Sequence, residues 1–177
     1  ASAYGDKCPM CRAPTPTELE SHRRALKWAE RGKGWAMEML ADNYYGGLNG
    51  VQKSQKTARL WFRRAADQGS AEAQCHLADM HKEGQGGPVS HEHAIFWLKR
   101  AVAQGYNNAM QMVQHLESTC FSCGKRRASG ELNMKKLRCS GCKCAIYCSK
   151  GCQLAHWKKN GGHHKTMCKK IQALKLK

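Results

Sequence analysis

Seven cysteines and one histidine between Cys120 and Cys168 are the residues of this chain most able to do chemistry. They read C-x2-C, fifteen residues, C-x2-C, five residues, C, three residues, C, and then His164-x3-Cys168. Two thiolates projecting from one tight knuckle can bite a single ion, and two such pairs complete a tetrahedral zinc site. Eight ligands fill two sites with four protein ligands each. No position is left open for a reactive water, so the chemistry is structural.

The end of the array is more particular. Tyr147-Cys148-x3-Cys152-Gln153-x2-His156-Trp157, followed by His164-x3-Cys168, resembles the MYND-type zinc finger. That resemblance implies cross-braced sites. Cys120, Cys123, Cys148 and Cys152 would hold the first Zn2+, and Cys139, Cys142, His164 and Cys168 the second. It also implies that Gln153 and Trp157 shape a groove for short proline-containing peptides, with Zn2+ as a structural cofactor.

The chain departs from the family in two places. The segment 124–138 is long, and the segment 158–163 is lengthened, which makes His163 a rival ligand with H-x4-C spacing. His164 keeps the family's distance to Cys168. His156 matches a position that does not ligate, and Cys144 matches none, so it reads as a small buried thiol.

Eleven cysteines also raise the prospect of a disulfide framework, but the number is odd. No signal-like apolar segment opens the sequence, and no apolar run approaches membrane-spanning length. The expectation is a reducing intracellular compartment, cytoplasm or nucleus, with no membrane partner.

Charge divides the 177 residues unevenly. Residues 1–117 hold 15 Lys+Arg against 12 Asp+Glu, while residues 118–177 hold 15 against the single acid Glu131; the net charges are +3 and +14. Two Zn2+ and seven thiolates would bring the second half to +11. A basic surface of this kind attracts acidic partners or nucleic acid. Here the basic residues are scattered among the ligands and the aromatics are few, so nucleic-acid binding is the alternative reading rather than the main one.

The elements ahead of the array repeat. Gly34 to Asp42 aligns with Ser70 to Asp79, and Ala58-Arg59-Leu60-Trp61-Phe62-Arg63-Arg64-Ala65 aligns with Ala94-Ile95-Phe96-Trp97-Leu98-Lys99-Arg100-Ala101. Gly32, Gly69 and Gly105 mark the period. Ala58 to Ala73 and Ala94 to Ala109 keep one spacing, while the Gly-rich loops 46–50 and 84–88 absorb a one-residue slack. Constant spacing on one side and tolerance on the other is the mark of packed helix pairs stacked into a solenoid. The pattern resembles the Sel-one-like repeat of the tetratricopeptide class over residues 17–117, with about six helices, from Thr17 to Arg31 through to Asn107 to Glu117. Small residues at Ala36, Ala73 and Ala109, Ala58 and Ala94, and Ala65 and Ala101 let helices approach, and Trp61 and Trp97 fill the space between them. Cys75, His76, His81, His91 and His93 read as packing and surface residues rather than a metal site.

Near the start, Cys8-Pro9-Met10-Cys11-Arg12 resembles the closing knuckle of a RING-type finger whose other ligands are absent; residues 1–16 are expected to be this remnant and a linker. The fold expected is mainly α: a short helical-repeat solenoid at 17–117, a cross-braced double-zinc finger at 118–168, and a basic tail at 169–177 with Ile171, Leu174 and Leu176 on one side of a helix. The function expected is a non-catalytic adaptor docking partner proteins or proline-rich peptides. Beside nucleic-acid binding, the other alternative is the substrate-recruiting part of a RING-type ubiquitin ligase. The repeat half offers no nucleophile, base and acid constellation. Loss of zinc is expected to unfold 118–168 and leave the repeats helical.

Overall fold

A computed structural model describes residues 18–122, 137–159 and 163–174. Six helices come first: α1 (Glu18–Glu30), α2 (Gly34–Gly46), α3 (Gln55–Asp67), α4 (Ala71–Glu83), α5 (His91–Ala103) and α6 (Asn107–Leu116). Each packs on its chain neighbours, so the stack is built pair by pair. Two more helices, α7 (Lys150–Lys159) and α8 (His163–Ala173), belong to the cysteine-rich half. Among the described residues there is no strand; an isolated antiparallel bridge joins Arg138 and Ile146. No helix of the described residues is long and apolar enough to cross a membrane.

Serine starts three of the repeat helices. The side chains of Ser54, Ser70 and Ser90 accept hydrogen bonds from the backbone N–H groups of Thr57, Ala73 and His93, satisfying donors that a helix leaves without partners. At the far end of α4, Gly84 adopts the left-handed conformation (φ 73°) and returns its N–H to the Met80 carbonyl.

Alanine decides how closely the helices stack. Ala36, Ala58, Ala65, Ala73, Ala94, Ala101 and Ala109 are all fully buried in one core with Leu40, Phe62, Leu77 and Leu98. Trp97 is buried in the same core and Trp61 packs against its margin. A second device recurs with the repeat. Arg31, Arg64 and Arg100 lie over the rings of Trp28, Trp61 and Trp97 at 5.1, 4.5 and 5.1 Å, each pair three residues apart, with Arg31 just past the end of α1.

Two faces of α5 do different jobs. Ala94, Trp97, Leu98 and Ala101 follow helical spacing and enter the repeat core. On the other side, Ile95 is buried in a second core with Cys120, Phe121, Cys139, Cys142, Cys144, Tyr147 and Ile171. α8 packs directly on α5. The last full repeat helix is therefore also a wall of the cysteine-rich half, a sharing that the sequence expectation of two separable parts lacks. α8 runs past Cys168 and carries Ile171 into that core, so the tail docks at least to this residue.

Candidate metal centre

Local structure aims each of the described candidate ligands. Cys139 and Cys142 flank a tight turn closed by the Lys143 N–H on the Cys139 carbonyl at 2.9 Å, with Lys143 in the left-handed region (φ 56°). His164 and Cys168 stand four apart on α8 and so share a face, together with buried Met167 and Ile171. Cys148 precedes α7 and Cys152 lies in its first turn. The Ser149 hydroxyl accepts from the Cys152 N–H at 3.1 Å, and the two sulfurs approach to 3.4 Å.

Residues distant in sequence converge. Donor atoms of Cys139, Cys142, His164 and Cys168 all lie within 4.8 Å of one another, and so do those of Cys120, Cys148 and Cys152. Cys139 Sγ is 3.8 Å from Cys168 Sγ and 3.3 Å from His164 Nε2. Zn–S bonds of about 2.3 Å and Zn–N bonds of about 2.0 Å at tetrahedral angles put donors about 3.5–3.8 Å apart, so donor type and spacing both fit zinc. The Cys148 N–H donates to Cys120 Sγ at 3.4 Å, a bond that steadies a thiolate.

Cys123 lies outside the described residues, as do Cys8 and Cys11 and the side chains of Trp157 and His163. His164 is the histidine placed in the cluster. Gln153 is half-buried on α7, beside an exposed Leu154.

Cys144 belongs to neither cluster. It is buried, donates to the Cys142 carbonyl at 3.0 Å and accepts from Lys99 Nζ at 2.9 Å. Its hydrogen bond with the Cys142 sulfur pulls the Cys142 pKa down to about 2 and, with burial, pushes that of Cys144 up. Burial works against a charged His164, but hydrogen bonds to Cys142, Glu92 and Cys139 outweigh it and raise its pKa to about 10. An ion bound at Nε2 must displace that proton.

Three further residues surround His164. Glu92 Oε1 lies 2.6 Å from His164 Nδ1 and 3.3 Å from His156 Nε2, and His156 Nδ1 lies 3.0 Å from the Tyr147 hydroxyl. All four are buried. Sequence reading passed over Glu92, because an acid in the first turn of a helix is ordinarily a solvated partner of the helix dipole. The available signal was its position: α5 spacing puts Glu92 on the face of Ile95, away from that of Ala94 and Trp97.

None of the repeat histidines enters the metal clusters, although His91 meets the ring of Phe121 at 5.6 Å. His76 stacks on Phe62 at 4.9 Å, and His81 stacks on His93 at 4.9 Å while facing Arg59. Burial, with Arg59 and His93 nearby, lowers the His81 pKa to about 3. Burial likewise pushes the Cys75 thiol up to about 11.

The MYND finger family model matches residues 120–168, and the Sel1 repeat model matches 36–70 and 71–106. The chain carries a MYND finger behind two Sel1 repeats. Over 61 residues it is 41% identical to the SET domain and MYND-type zinc finger protein 6 of Schizosaccharomyces pombe, a match covering 34% of this chain and 11% of that protein's length. Two solved structures resemble the Sel1 part. A Sel1 repeat protein from Oxalobacter formigenes aligns with TM-score 0.56 and 30% identity over 59% of this chain and 30% of its own. The protective antigen c5321 of uropathogenic Escherichia coli, described as displaying an SLR fold, aligns with TM-score 0.56 and 25% identity over 61% and 23%. The MYND finger implies zinc, and Sel1 repeats with a MYND finger fit a protein-interaction role rather than catalysis.

Proposed function

We propose that this chain is a zinc-structured docking module whose MYND finger takes two ions and presents α7 to short proline-containing segments. Cys120, Cys123, Cys148 and Cys152 hold one ion, and Cys139, Cys142, His164 and Cys168 the other. The observation that carries this reading is the convergence of the interleaved ligands into two clusters, with α7 rising directly from the Cys148–Cys152 knuckle. Gln153 and Leu154 stand on that helix, and Trp157 follows one turn later. A rigid knuckle beside an aromatic residue suits an extended proline-rich chain, because proline rings stack on aromatic faces.

The Sel1 repeats supply a second docking face. A groove of about 310 Å³ between α2, α3 and α4 is lined by Trp35, Met39 and Phe62 together with Glu38, Asp42 and Glu72. Trp35 is 53% exposed. A segment combining apolar and basic side chains fits this lining.

Binding of the zinc-loaded chain to an array of proline-rich peptides, beside Trp157→Ala and Trp35→Ala variants, tests the proposal. Peptides lost only in Trp157→Ala establish the finger groove, and peptides lost only in Trp35→Ala move docking to the repeats. Binding to nucleic acid alone, with affinity falling steeply as salt rises, replaces the adaptor reading.

A further inference from the structure

Glu92 poses a problem in charge. It is 4% exposed, and a buried carboxylate is costly unless it is paired and hydrogen-bonded. No Lys or Arg among the described residues forms a salt bridge with it; the partners are two imidazoles, His156 and His164.

With both imidazoles neutral and Glu92 ionised, the hydrogen-bond directions are determined. Tyr147 O–H donates to His156 Nδ1, so His156 carries its hydrogen on Nε2 and donates it to Glu92. His164 donates Nδ1–H to the same carboxylate oxygen. In that form Nε2 of His164 carries no hydrogen and faces Cys139 Sγ at 3.3 Å. A carboxylate behind a histidine that ligates zinc fixes the tautomer and ring orientation and raises ligand basicity.

The carboxylate comes from the wrong half of the molecule for a self-contained finger. Glu92 lies on α5, within the second Sel1 match, 72 residues from His164. The rest of that α5 face is engaged as well: Ile95 is buried in the finger core and Lys99 Nζ reaches Cys144.

The geometry points to Glu92 as the positioning residue of the Cys139, Cys142, His164 and Cys168 zinc centre, supplied by the last Sel1 repeat, so that zinc occupancy and the docking of α5 strengthen each other. This rests on His164 being a zinc ligand, and the test separates the two claims. Zinc is titrated into the full chain against a competing chelator for wild type, Glu92→Gln, Glu92→Asp and His164→Ala.

Two ions bind wild type and His164→Ala weakens one of them; if it weakens neither, the ligand assignment fails and the positioning role falls with it. Glu92→Gln lowers affinity at one site by about 10–100-fold and leaves the other unchanged, with partial recovery in Glu92→Asp. Zinc affinities equal to wild type in Glu92→Gln overturn the positioning role while leaving the ligand assignment standing. Amide hydrogen exchange of α5 in wild type is the second readout, independent of any variant's folding. Zinc slows exchange along His91–Ala103 if the coupling is real, and exchange there that ignores zinc overturns it.

Discussion

Gly141 illustrates how tightly single residues are fixed in the finger. A Cβ added there would lie 2.9 Å from Cys168 Sγ and 2.8 Å from Gln172 Nε2. The glutamine can swing away, but the sulfur is held by its cluster. Gly141→Ala is therefore expected to weaken zinc at that centre, measured by chelator competition, with no loss at the other. Cys144 gives the converse expectation. It joins neither cluster and contacts a carbonyl and Lys99, so Cys144→Ala leaves the zinc-to-protein ratio at the wild-type value while Cys142→Ala lowers it by one, read by elemental analysis. His81 controls a pH response outside the metal sites. Its folded pKa is about 3 against an ordinary value near 6.5, so below about pH 6.5 the unfolded chain takes up a proton that the folded chain refuses. Stability is expected to fall as pH drops from 6.5 towards 5, and His81→Gln to flatten that slope in denaturant titrations of the zinc-loaded chain.

At the level of elements, α5 carries the most consequences. Its start is held by Ser90, whose side chain accepts from the His93 N–H. Ser90→Ala is expected to cost about 1 kcal/mol in denaturant titration. The loop before α5 is equally constrained. Gly86 has φ 69°, and a Cβ there would run into the Gln55 backbone, so Gly86→Ala is expected to cost more than the cap does, about 1–3 kcal/mol on the same measurement. The repeat helices were legible in sequence because alanine, tryptophan and glycine recur at fixed intervals, and periodicity survives without knowledge of partners. The two faces of α5 were not. Ile95 and Phe96 sit beside Ala94 and Trp97 in a continuous apolar run, and a run cannot say that its sides serve different cores. The Trp–Arg pairs at 28/31, 61/64 and 97/100 were visible as spacing, yet only the ring contacts give that spacing a meaning.

Taken whole, the molecule is a repeat stack and a metal finger joined through a shared helix. Chelation is expected to loosen α5 along with residues 118–168, because Ile95 loses its cover and Glu92 loses the ordered imidazole it faces. Hydrogen exchange before and after chelation checks this; protection that fades in the finger while α5 stays unchanged contradicts it. The zinc array was legible because thiolate pairs at short spacing have few other uses in a reducing setting. The carboxylate behind His164 was not, since spacing within the array carries no information about a residue contributed from outside it.

The separation of Glu92 from His164 by 72 residues also sets an order of events during synthesis. At roughly 5–20 residues per second, α5 leaves the ribosome on the order of 4–14 s before the histidine that will meet it. Through that interval Glu92, Ile95 and Phe96 face water with the repeat side of the helix already able to pack. The nascent repeats thus display a half-finished surface, an apolar strip with a carboxylate at its end, that the arriving finger, with α8 last, withdraws from other chains.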